Sequence, residues 1–398
     1  MVMWLTGVVA ASVAAAVVAE SAARWALRRG GRYLVNLPFT RTVLDLDPAV
    51  SPHLGSPVRI EMNALGERGS EFGANASDAL RVAVVGGSAA YCYLVDQPHS
   101  WPQRMGTCVE SMGAAARLGR SRVHVGNLSE AELSSGGARL IVDRLVATYA
   151  GLDAVVLMIG ISDMLRWLRY GAPDRLPAQT AADVFAVQPE GPYSWRPRAS
   201  ALAEIGRRIR HRWTLWRQPV VHRKKVGTSV INSRMRRRNA ARVITDVPDP
   251  AGMLAEYRAN LAGIVEALVA RQLAVVVLGQ PHYDSTGCCD HVASQFWNGG
   301  IGDPSKEPVT VFYSNGVLDE LSRRVTDVTR EVADQSGVPY VHLDAIVPSD
   351  LKYYYDQFHF TPAGSDIVAR AAAEALARAL AGSASSAGRW TAGRGASA

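Results

Sequence analysis

The chain has 398 residues, of which 48% are hydrophobic and 20% are charged. This composition excludes an intrinsically disordered polar chain, and the length fits two or three domains or one large α/β domain with insertions. The four cysteines include no Cys-x-x-Cys pair. We therefore expect thiols that are buried or inert, no disulfide scaffold, no metal site and no cofactor.

The net charge of +7 comes from one segment of the chain. Residues 196–242 contain fifteen Lys or Arg and a single acid, Glu204, which gives this segment a charge of +14. The rest of the chain therefore carries −7. The basicity is a local feature and not the character of the whole protein.

The amino terminus is apolar. Residues 2–19 contain no charge, and 18 helical residues extend about 27 Å, close to the roughly 30 Å of bilayer hydrocarbon. A cleaved signal peptide normally begins with basic residues, and this segment has none, although the small residues near Ala23 would permit cleavage. We favour a single-pass transmembrane anchor over residues 1–23 rather than a cleaved signal or a soluble apolar helix.

Four arginines follow this segment: Arg24, Arg28, Arg29 and Arg32. Basic residues next to a membrane span are enriched on the cytoplasmic side. The positive-inside tendency thus favours a cytoplasmic location for the bulk of the chain, and it leaves the opposite side of the membrane open.

Buried strands alternate with helices through the rest of the chain. Residues 24–80, rich in Pro, Gly and Asn, are expected to form an irregular lead-in. Short apolar runs then predict strands at 81–86, 123–125, 154–159, 274–279 and 338–343. Such alternation predicts a parallel sheet covered on both faces, with ligands bound at the carboxyl ends of the strands.

Helical patterns precede three of the predicted strands, at 139–150, 253–271 and 318–336. A final helix is expected over Pro362–Leu380, with Pro in its first turn and Thr361 as its N-cap. The small residues of 383–398 predict a disordered tail.

Ser88 directly follows the first predicted strand, in the sequence VAVVGGSAAY. Gly86 and Gly87 allow a sharp turn that would leave the serine hydroxyl at the top of the sheet, near a helix N-terminus that favours an oxyanion. Taken alone, the same pattern also fits a plain strand-to-helix turn in which serine is the N-cap.

Asp356 and His359 lie three residues apart in the sequence YYYDQFHFTPAG, just before the final helix. A serine hydroxyl needs a base to become a nucleophile, and a histidine oriented by a carboxylate is such a base. Taken alone, the pair also fits a capping carboxylate beside a partly buried histidine.

Together these motifs resemble the SGNH, or GDSL-type, hydrolase family. The family's first and last blocks correspond to the strand that ends in Gly-Gly-Ser and to Asp-x-x-His before the last helix. Residues 160–163, Gly-Ile-Ser-Asp, look like its Gly-x-Asn-Asp block. The resemblance covers about residues 81–382, and the segment IEMNALGERG (60–69) and Gln280-Pro281 add weaker similarity.

The resemblance implies an α/β fold, a three-layer α/β/α sandwich with a parallel flavodoxin-like sheet, here preceded by the N-terminal transmembrane helix. It also implies a catalytic triad of Ser88, His359 and Asp356 that acts on an ester or acyl group. The hydrolase domain would span 81–382 and contain a basic insertion at 166–250.

Two positions depart from the family pattern. Where the family shows a glycine whose backbone N–H helps to form the oxyanion hole, this chain has Glu132, or Ala131 in an alternative alignment. Where the family has an asparagine donor, it has Ser162. The resemblance therefore implies an intact triad with an altered oxyanion hole, formed by Ser162 and the backbone N–H of Glu132.

The basic segment 196–242 has three interpretations. The piece at 200–218 carries apolar residues at helical spacing between arginines, which is typical of a helix lying on anionic lipid. A solvated cap over the active site and a nucleic-acid surface are the alternatives. We favour the membrane and expect no nucleic-acid partner, because the apolar amino terminus already holds the domain at a bilayer.

The expected protein is a membrane-anchored esterase or deacylase acting on an acylated small molecule, lipid or glycan. An acyltransferase would use the same triad, and a non-catalytic binding protein would explain the altered oxyanion residues.

Overall fold

The computed structural model describes residues 2–29, 33–71, 78–146, 149, 151–187, 200–218 and 221–392. Within them the strands are β1 (Arg41–Leu46), β2 (Val58–Glu61), β3 (Ala79–Gly86), β4 (Arg122–Asn127), β5 (Ala154–Met158), β6 (Val221–Val226), β7 (Arg242–Ile244), β8 (Ala274–Gly279), β9 (Val311–Tyr313) and β10 (Tyr340–His342).

The helices of the same residues are α1 (Val2–Arg29), α2 (Ser88–Tyr91), α3 (Trp101–Ser111), α4 (Ala114–Arg117), α5 (Ser135–Arg144), α6 (Ile161–Arg169), α7 (Ala181–Val184), α8 (Ala201–Arg217), α9 (Thr228–Arg238), α10 (Ala251–Val269), α11 (Asp290–Ala293), α12 (Asn315–Gln335) and α13 (Pro362–Ala392).

A parallel five-stranded sheet forms the centre of the protein, in the order β10-β8-β5-β3-β4. Every residue of β5 and β8 is buried, as expected for strands covered on both faces. One face packs on α5, α6, α10 and α12, and the other packs on α3 and α13. The predicted three-layer α/β/α sandwich is confirmed, and the five predicted strands are its five strands.

The lead-in is more regular than predicted. Strands β1 and β2 pair antiparallel, and Arg68 forms an antiparallel bridge with Asn127 at the edge of the central sheet. The expectation of an irregular segment over 24–80 is wrong for these residues; residues 30–32 and 72–77 lie outside those described. Leu44 and Leu46 of β1 and Val58 and Ile60 of β2 are buried in one core cluster, so these short strands carry an apolar pattern that the expectation overlooked.

The basic insertion is built into the rest of the protein. Between α6 and α10, strand β6 pairs parallel with β1, and β7 pairs parallel with β9. Strand β6 is an exposed edge strand whose basic residues discourage pairing with another chain. Residues 188–199 and 219–220, which include the start of the basic segment, lie outside the described residues.

The amino-terminal helix α1 has an exposed part and a packed part. Its valines from Val8 to Val18 are more than half exposed, whereas Ala23 and Leu27 are buried against Ala201 of α8. The stretch Thr6–Leu27 is long and apolar enough to cross a membrane, with only 6% of its most apolar window buried. By length and composition it fits a membrane span or a signal sequence.

Helix α13 begins at Pro362, and the Thr361 hydroxyl accepts a hydrogen bond from the Gly364 N–H, as predicted for its N-cap. The helix runs to Ala392 rather than ending near Leu380, so the disordered tail predicted for 383–398 is wrong for 383–392. Residues 393–398 lie outside those described.

The cysteines form no disulfide among themselves. Cys92 is buried, Cys108 and Cys288 are half-buried, and Cys289 is exposed, so for Cys289 only the expectation of an inert thiol stays, as a prediction. Burial raises the pKa of the Cys92 thiol to about 11, which keeps it protonated at neutral pH.

Candidate active site

Ser88 lies at the carboxyl end of β3, at the first residue of α2. A Cβ added at Gly86 would lie 2.5 Å from the Met158 carbonyl oxygen of β5, and one at Gly87 would lie 2.4 Å from Ser162 Oγ. Both glycines are therefore required by close contacts with the neighbouring strand and helix. The serine hydroxyl is left half-buried at the edge of a cleft.

His359 and Asp356 meet Ser88 at the same edge of the sheet. His359 Nε2 lies 2.7 Å from Ser88 Oγ, and His359 Nδ1 lies 2.6 Å from Asp356 Oδ2. The other carboxylate oxygen of Asp356 accepts the backbone N–H groups of Phe358 and His359, at 2.7 and 2.8 Å. The carboxylate is completely buried, so these donors replace its lost hydration.

Two aromatic rings lie nearly parallel to the His359 ring and close to it. Tyr355 stacks on the imidazole at a centroid distance of 5.4 Å and an interplanar angle of 9°, and Trp297 at 6.5 Å and 13°. The ring orientation is thereby fixed by packing as well as by Asp356. The sequence analysis missed Trp297, because nothing in its local pattern indicates a position beside a histidine 62 residues later.

Ser162 faces the nucleophile turn. It is the second residue of α6, it is 8% exposed, and its hydroxyl packs against Gly87 on the same cleft as Ser88. A short hydroxyl fits here because Gly87 has no side chain. Ser162 and Ser88 thus line the same cleft, and the oxyanion role of Ser162 stays a prediction.

Glu132 occupies a glycine-like backbone position. Its φ is +62°, in the left-handed region that glycine adopts most easily. Both Glu132 and Ala131 line the cleft. The Glu132 carboxylate accepts two hydrogen bonds from Arg169, at 2.8 and 2.7 Å, so the arginine neutralises its charge.

Asp163, the last residue of the Gly-Ile-Ser-Asp block, has a structural role. Its carboxylate accepts the Ser135 hydroxyl at 2.6 Å and the Ser135 backbone N–H at 2.9 Å, and so joins the N-termini of α5 and α6. Burial raises the pKa of Asp163 to about 6.

The cleft beside Ser88 has a volume of about 440 Å³, the size of a small-molecule site. One wall comes from the basic insertion, with Val226 from the end of β6 and Ser229, Val230, Ser233 and Arg236 from α9. The lining also includes the apolar residues Pro304, Val309 and Phe312. Part of the insertion therefore shapes the candidate active site.

Two arginines of α9 anchor this wall to the core, a role that the sequence analysis missed. Arg234, which is 6% exposed, donates to the backbone carbonyls of Gln295, Ala49, Val50 and Tyr355, and its guanidinium lies 5.3 Å from the Trp297 ring centroid. Arg237 donates to the carbonyl of Asn298. Burial lowers the pKa of Arg237 to about 10, so it stays cationic at neutral pH.

Arg68, in the lead-in segment, forms hydrogen bonds with the chain that follows α2. Arg68 is fully buried and donates to the carbonyls of Tyr91, Cys92 and Val95, the last two at 2.8 and 2.7 Å. The conformation of the chain directly after the nucleophile turn thus depends on the segment at 60–69.

Among the described residues, no group of three or more His, Cys, Asp or Glu side chains is arranged to hold a metal ion. The groups present at the site are those of acid–base and nucleophilic chemistry.

No protein-family model and no curated protein match this sequence. Among solved structures the chain is similar to a carbohydrate acetylesterase, Est24, from Sinorhizobium meliloti (10% identity, 75% of this chain, 99% of that one, TM-score 0.39). It is also similar to the aryl esterase of M. smegmatis (11% identity, 76% of this chain, 100% of that one, TM-score 0.40). A third similar structure is a lipolytic G-D-S-L family member from Veillonella parvula (12% identity, 74% of this chain, 97% of that one, TM-score 0.37).

Proposed function

We propose that this protein is a serine ester hydrolase of the SGNH type. The observation that carries the proposal is the continuous hydrogen-bonded chain from Ser88 Oγ through the His359 ring to Asp356, at 2.7 and 2.6 Å, on the edge of a cleft. A nucleophile, a base and a group that orients the base are the parts that acyl transfer from an ester requires.

In this mechanism His359 Nε2 takes the Ser88 proton as the serine oxygen attacks the ester carbonyl. Asp356 accepts from Nδ1, which fixes the tautomer and stabilises the imidazolium. The tetrahedral intermediate collapses when His359 returns the proton to the alcohol oxygen, which leaves, and the acyl group stays on Ser88. Water, deprotonated by His359, then releases the acid and restores the serine.

The negative oxygen of the intermediate needs hydrogen-bond donors. We assign this role to the Ser162 hydroxyl and to the backbone N–H of Glu132, with the N–H of Ala131 as the alternative. All three residues line the cleft with Ser88. The Glu132–Arg169 ion pair supports the assignment, because it directs a carboxylate that would oppose an oxyanion toward a cation.

A short-chain ester such as 4-nitrophenyl acetate tests the function. Ser88→Ala is expected to reduce kcat by about 10⁴-fold or more, since it removes the nucleophile. Ser111→Ala, an exposed serine at the end of α3, is the matched control and should keep full activity. Equal activity of the wild-type and Ser88→Ala chains would refute the hydrolase, and a wild-type chain inactive on a panel of acyl esters would favour a binding protein.

An acyltransferase is the second candidate. The cleft of about 440 Å³ can hold an acceptor alcohol beside an acyl group, and an alcohol that enters in place of water would take the acyl group from Ser88. Product analysis with added glycerol separates the two activities: a hydrolase releases free acid, whereas a transferase forms the new ester.

We further propose that α1 is a membrane anchor and that α8 lies on the same membrane surface. Glu20 accepts hydrogen bonds from the Ser200 hydroxyl and from the N–H groups of Ala201 and Leu202, so the N-terminus of α8 is fixed where the uncharged stretch of α1 ends. The outer face of α8 is apolar and 45–65% exposed: Leu202, Ile209, Trp213 and Trp216.

Exposed tryptophans and arginines on one helix are typical of the membrane interface. The Arg217 guanidinium lies 4.7 Å from the Trp213 ring centroid, which places a cation beside the apolar face. Three residues separate the end of α8 at Arg217 from the start of β6 at Val221, and β6 ends at Val226 on the cleft wall. The membrane-facing helix and the candidate active site are therefore connected by a single strand.

A further inference from the structure

The lining of the candidate active-site cleft has more positively charged than negatively charged side chains. Three arginines line it, Arg166, Arg169 and Arg236, against a single acid among the described residues, Glu132. Arg169 is neutralised by Glu132. Arg166 donates to the Pro177 carbonyl at 2.7 Å and lies 6.0 Å from the Tyr170 ring centroid, so it is held on the α6 side.

Arg236 differs from these two arginines. It is exposed on α9, and no carboxylate of the described residues forms an ion pair with it. A guanidinium left unpaired in a cleft next to a nucleophile is available to a substrate. Its planar fork suits oxyanions, to which it can donate two parallel hydrogen bonds.

The orientation of α9 places the hydroxyls of Ser229 and Ser233 on the same side as this cation. The Ser233 hydroxyl donates to the Ser229 carbonyl at 2.9 Å, and it can turn from that carbonyl to a ligand. At about 100° per residue, Ser229, Ser233 and Arg236 share an arc of roughly 60° on the helix surface. All three line the cleft. Arg234 and Arg237 lie on the adjacent side of the helix, where their hydrogen bonds to backbone carbonyls fix its rotation.

We propose that Arg236, Ser229 and Ser233 form a subsite for a phosphate group on the ester substrate. A carboxylate carries one negative charge on two oxygens, whereas a phosphate monoester carries up to two charges on three terminal oxygens, which can accept from the guanidinium and from both hydroxyls at once. This inference rests on the proposed ester hydrolysis. The phosphate can belong to a soluble sugar or polyol phosphate or to the headgroup of a lipid.

Matched pairs of esters test the subsite. Acetylated glycerol and acetylated glycerol 3-phosphate differ only in the phosphate, and lysophosphatidic acid carries the same group on a lipid. Arg236→Gln is expected to lower the ratio of kcat/KM for the phosphorylated ester to kcat/KM for the neutral ester by about tenfold to a hundredfold, the range for a lost hydrogen bond to a charged group. Ser229→Ala/Ser233→Ala is expected to give a smaller loss of the same selectivity.

Arg238→Gln is the control, since Arg238 is exposed on the same helix and does not line the cleft. An equal effect of Arg236→Gln on neutral and phosphorylated esters, or no effect on either, would overturn the subsite. Preference for the glycerol phosphate ester over the lipid, or the reverse, identifies the source of the phosphate.

A binding measurement separates this inference from the hydrolase itself. Glycerol 3-phosphate is titrated calorimetrically into the full-length Ser88→Ala chain and into the same chain with Arg236→Gln. Binding that weakens at least tenfold in the second chain supports the subsite even if no ester is hydrolysed. Absence of binding to the Ser88→Ala chain, or equal binding to both chains, would contradict it.

Discussion

Arg169 binds both carboxylate oxygens of Glu132, at 2.7 and 2.8 Å, on the rim of the cleft that contains Ser88. Glu132 has a left-handed backbone, with φ at +62°. A carboxylate at such a position would face a developing oxyanion if it were free. The ion pair allows a glutamate to occupy a position for which glycine is the easiest choice.

We predict that Arg169→Gln lowers kcat on a neutral ester by about three- to tenfold, because it leaves the Glu132 charge unpaired beside the oxyanion. The loss is modest because both side chains are partly exposed and water screens them. It should shrink at 1 M salt, where the Debye length is about 3 Å. Kinetics at 0.1 and 1 M salt measure both effects.

The double variant Glu132→Gln/Arg169→Gln is the control for this pair. Removal of both charges should restore most of the activity that Arg169→Gln loses. If the double variant is as slow as the single one, Arg169 acts in some other way than by neutralising Glu132.

Ser162→Ala tests the proposed oxyanion donor. We predict a fall in kcat of about 10²-fold with little change in KM, the usual consequence of removing one such donor. The fold should be unaffected, because the side chain loses only a hydroxyl that packs against Gly87. Steady-state kinetics and a melting curve separate the two quantities, and unchanged kcat would remove Ser162 from the mechanism.

Arg234 is predicted to be a positioning residue. Arg234→Met leaves several carbonyls without their donor, the Tyr355 carbonyl among them, and should reduce the free energy of unfolding by about 3 kcal/mol. It also loosens the packing of Trp297 and Tyr355 on His359, so kcat should fall while KM for a small ester stays constant.

Arg234→Lys keeps the positive charge but loses the planar guanidinium with its several donors. It should therefore recover only part of the free energy of unfolding that Arg234→Met loses. The exposed Arg238→Met is the matched control and should change neither quantity. Full activity and stability of Arg234→Met would show that the α9 anchor has no influence on the site.

Helix α8 is predicted to bind anionic lipid through its outer face. A chain that begins at Ala19 retains Glu20 and Ala23, and so retains the contacts that position α8. It should sediment with vesicles that contain anionic lipid at 0.1 M salt and be released at 1 M, as the Debye length shrinks from about 10 to about 3 Å.

Trp213→Ser/Trp216→Ser should weaken this vesicle binding at least tenfold, because it removes the interfacial aromatic residues. Met235→Ser, which changes an exposed apolar residue on α9, is the control and should bind normally. A truncated chain that ignores anionic vesicles at every salt concentration would leave α1 as the sole membrane element.

The sequence predicted those parts of the fold that depend on local patterns. Apolar runs such as AVVVLG at 274–279 gave the strands of the central sheet, and the parallel arrangement brought Ser88 and His359, 271 residues apart, to the same edge. Residues fixed by tertiary contacts carry no such signal. Trp297, Arg234 and the pairing of β1 with β6 were missed because each depends on segments that are distant in sequence.

The most direct test of the central claim is covalent labelling of Ser88 with a serine-reactive phosphonate, followed by intact-protein and peptide mass spectrometry. Because His359 Nε2 lies 2.7 Å from Ser88 Oγ, we predict one adduct per chain, located on Ser88, absent in Ser88→Ala and formed at least a hundredfold more slowly in His359→Ala. No adduct on the folded wild-type chain, or an adduct that persists in Ser88→Ala, would contradict the assignment of Ser88 as the nucleophile.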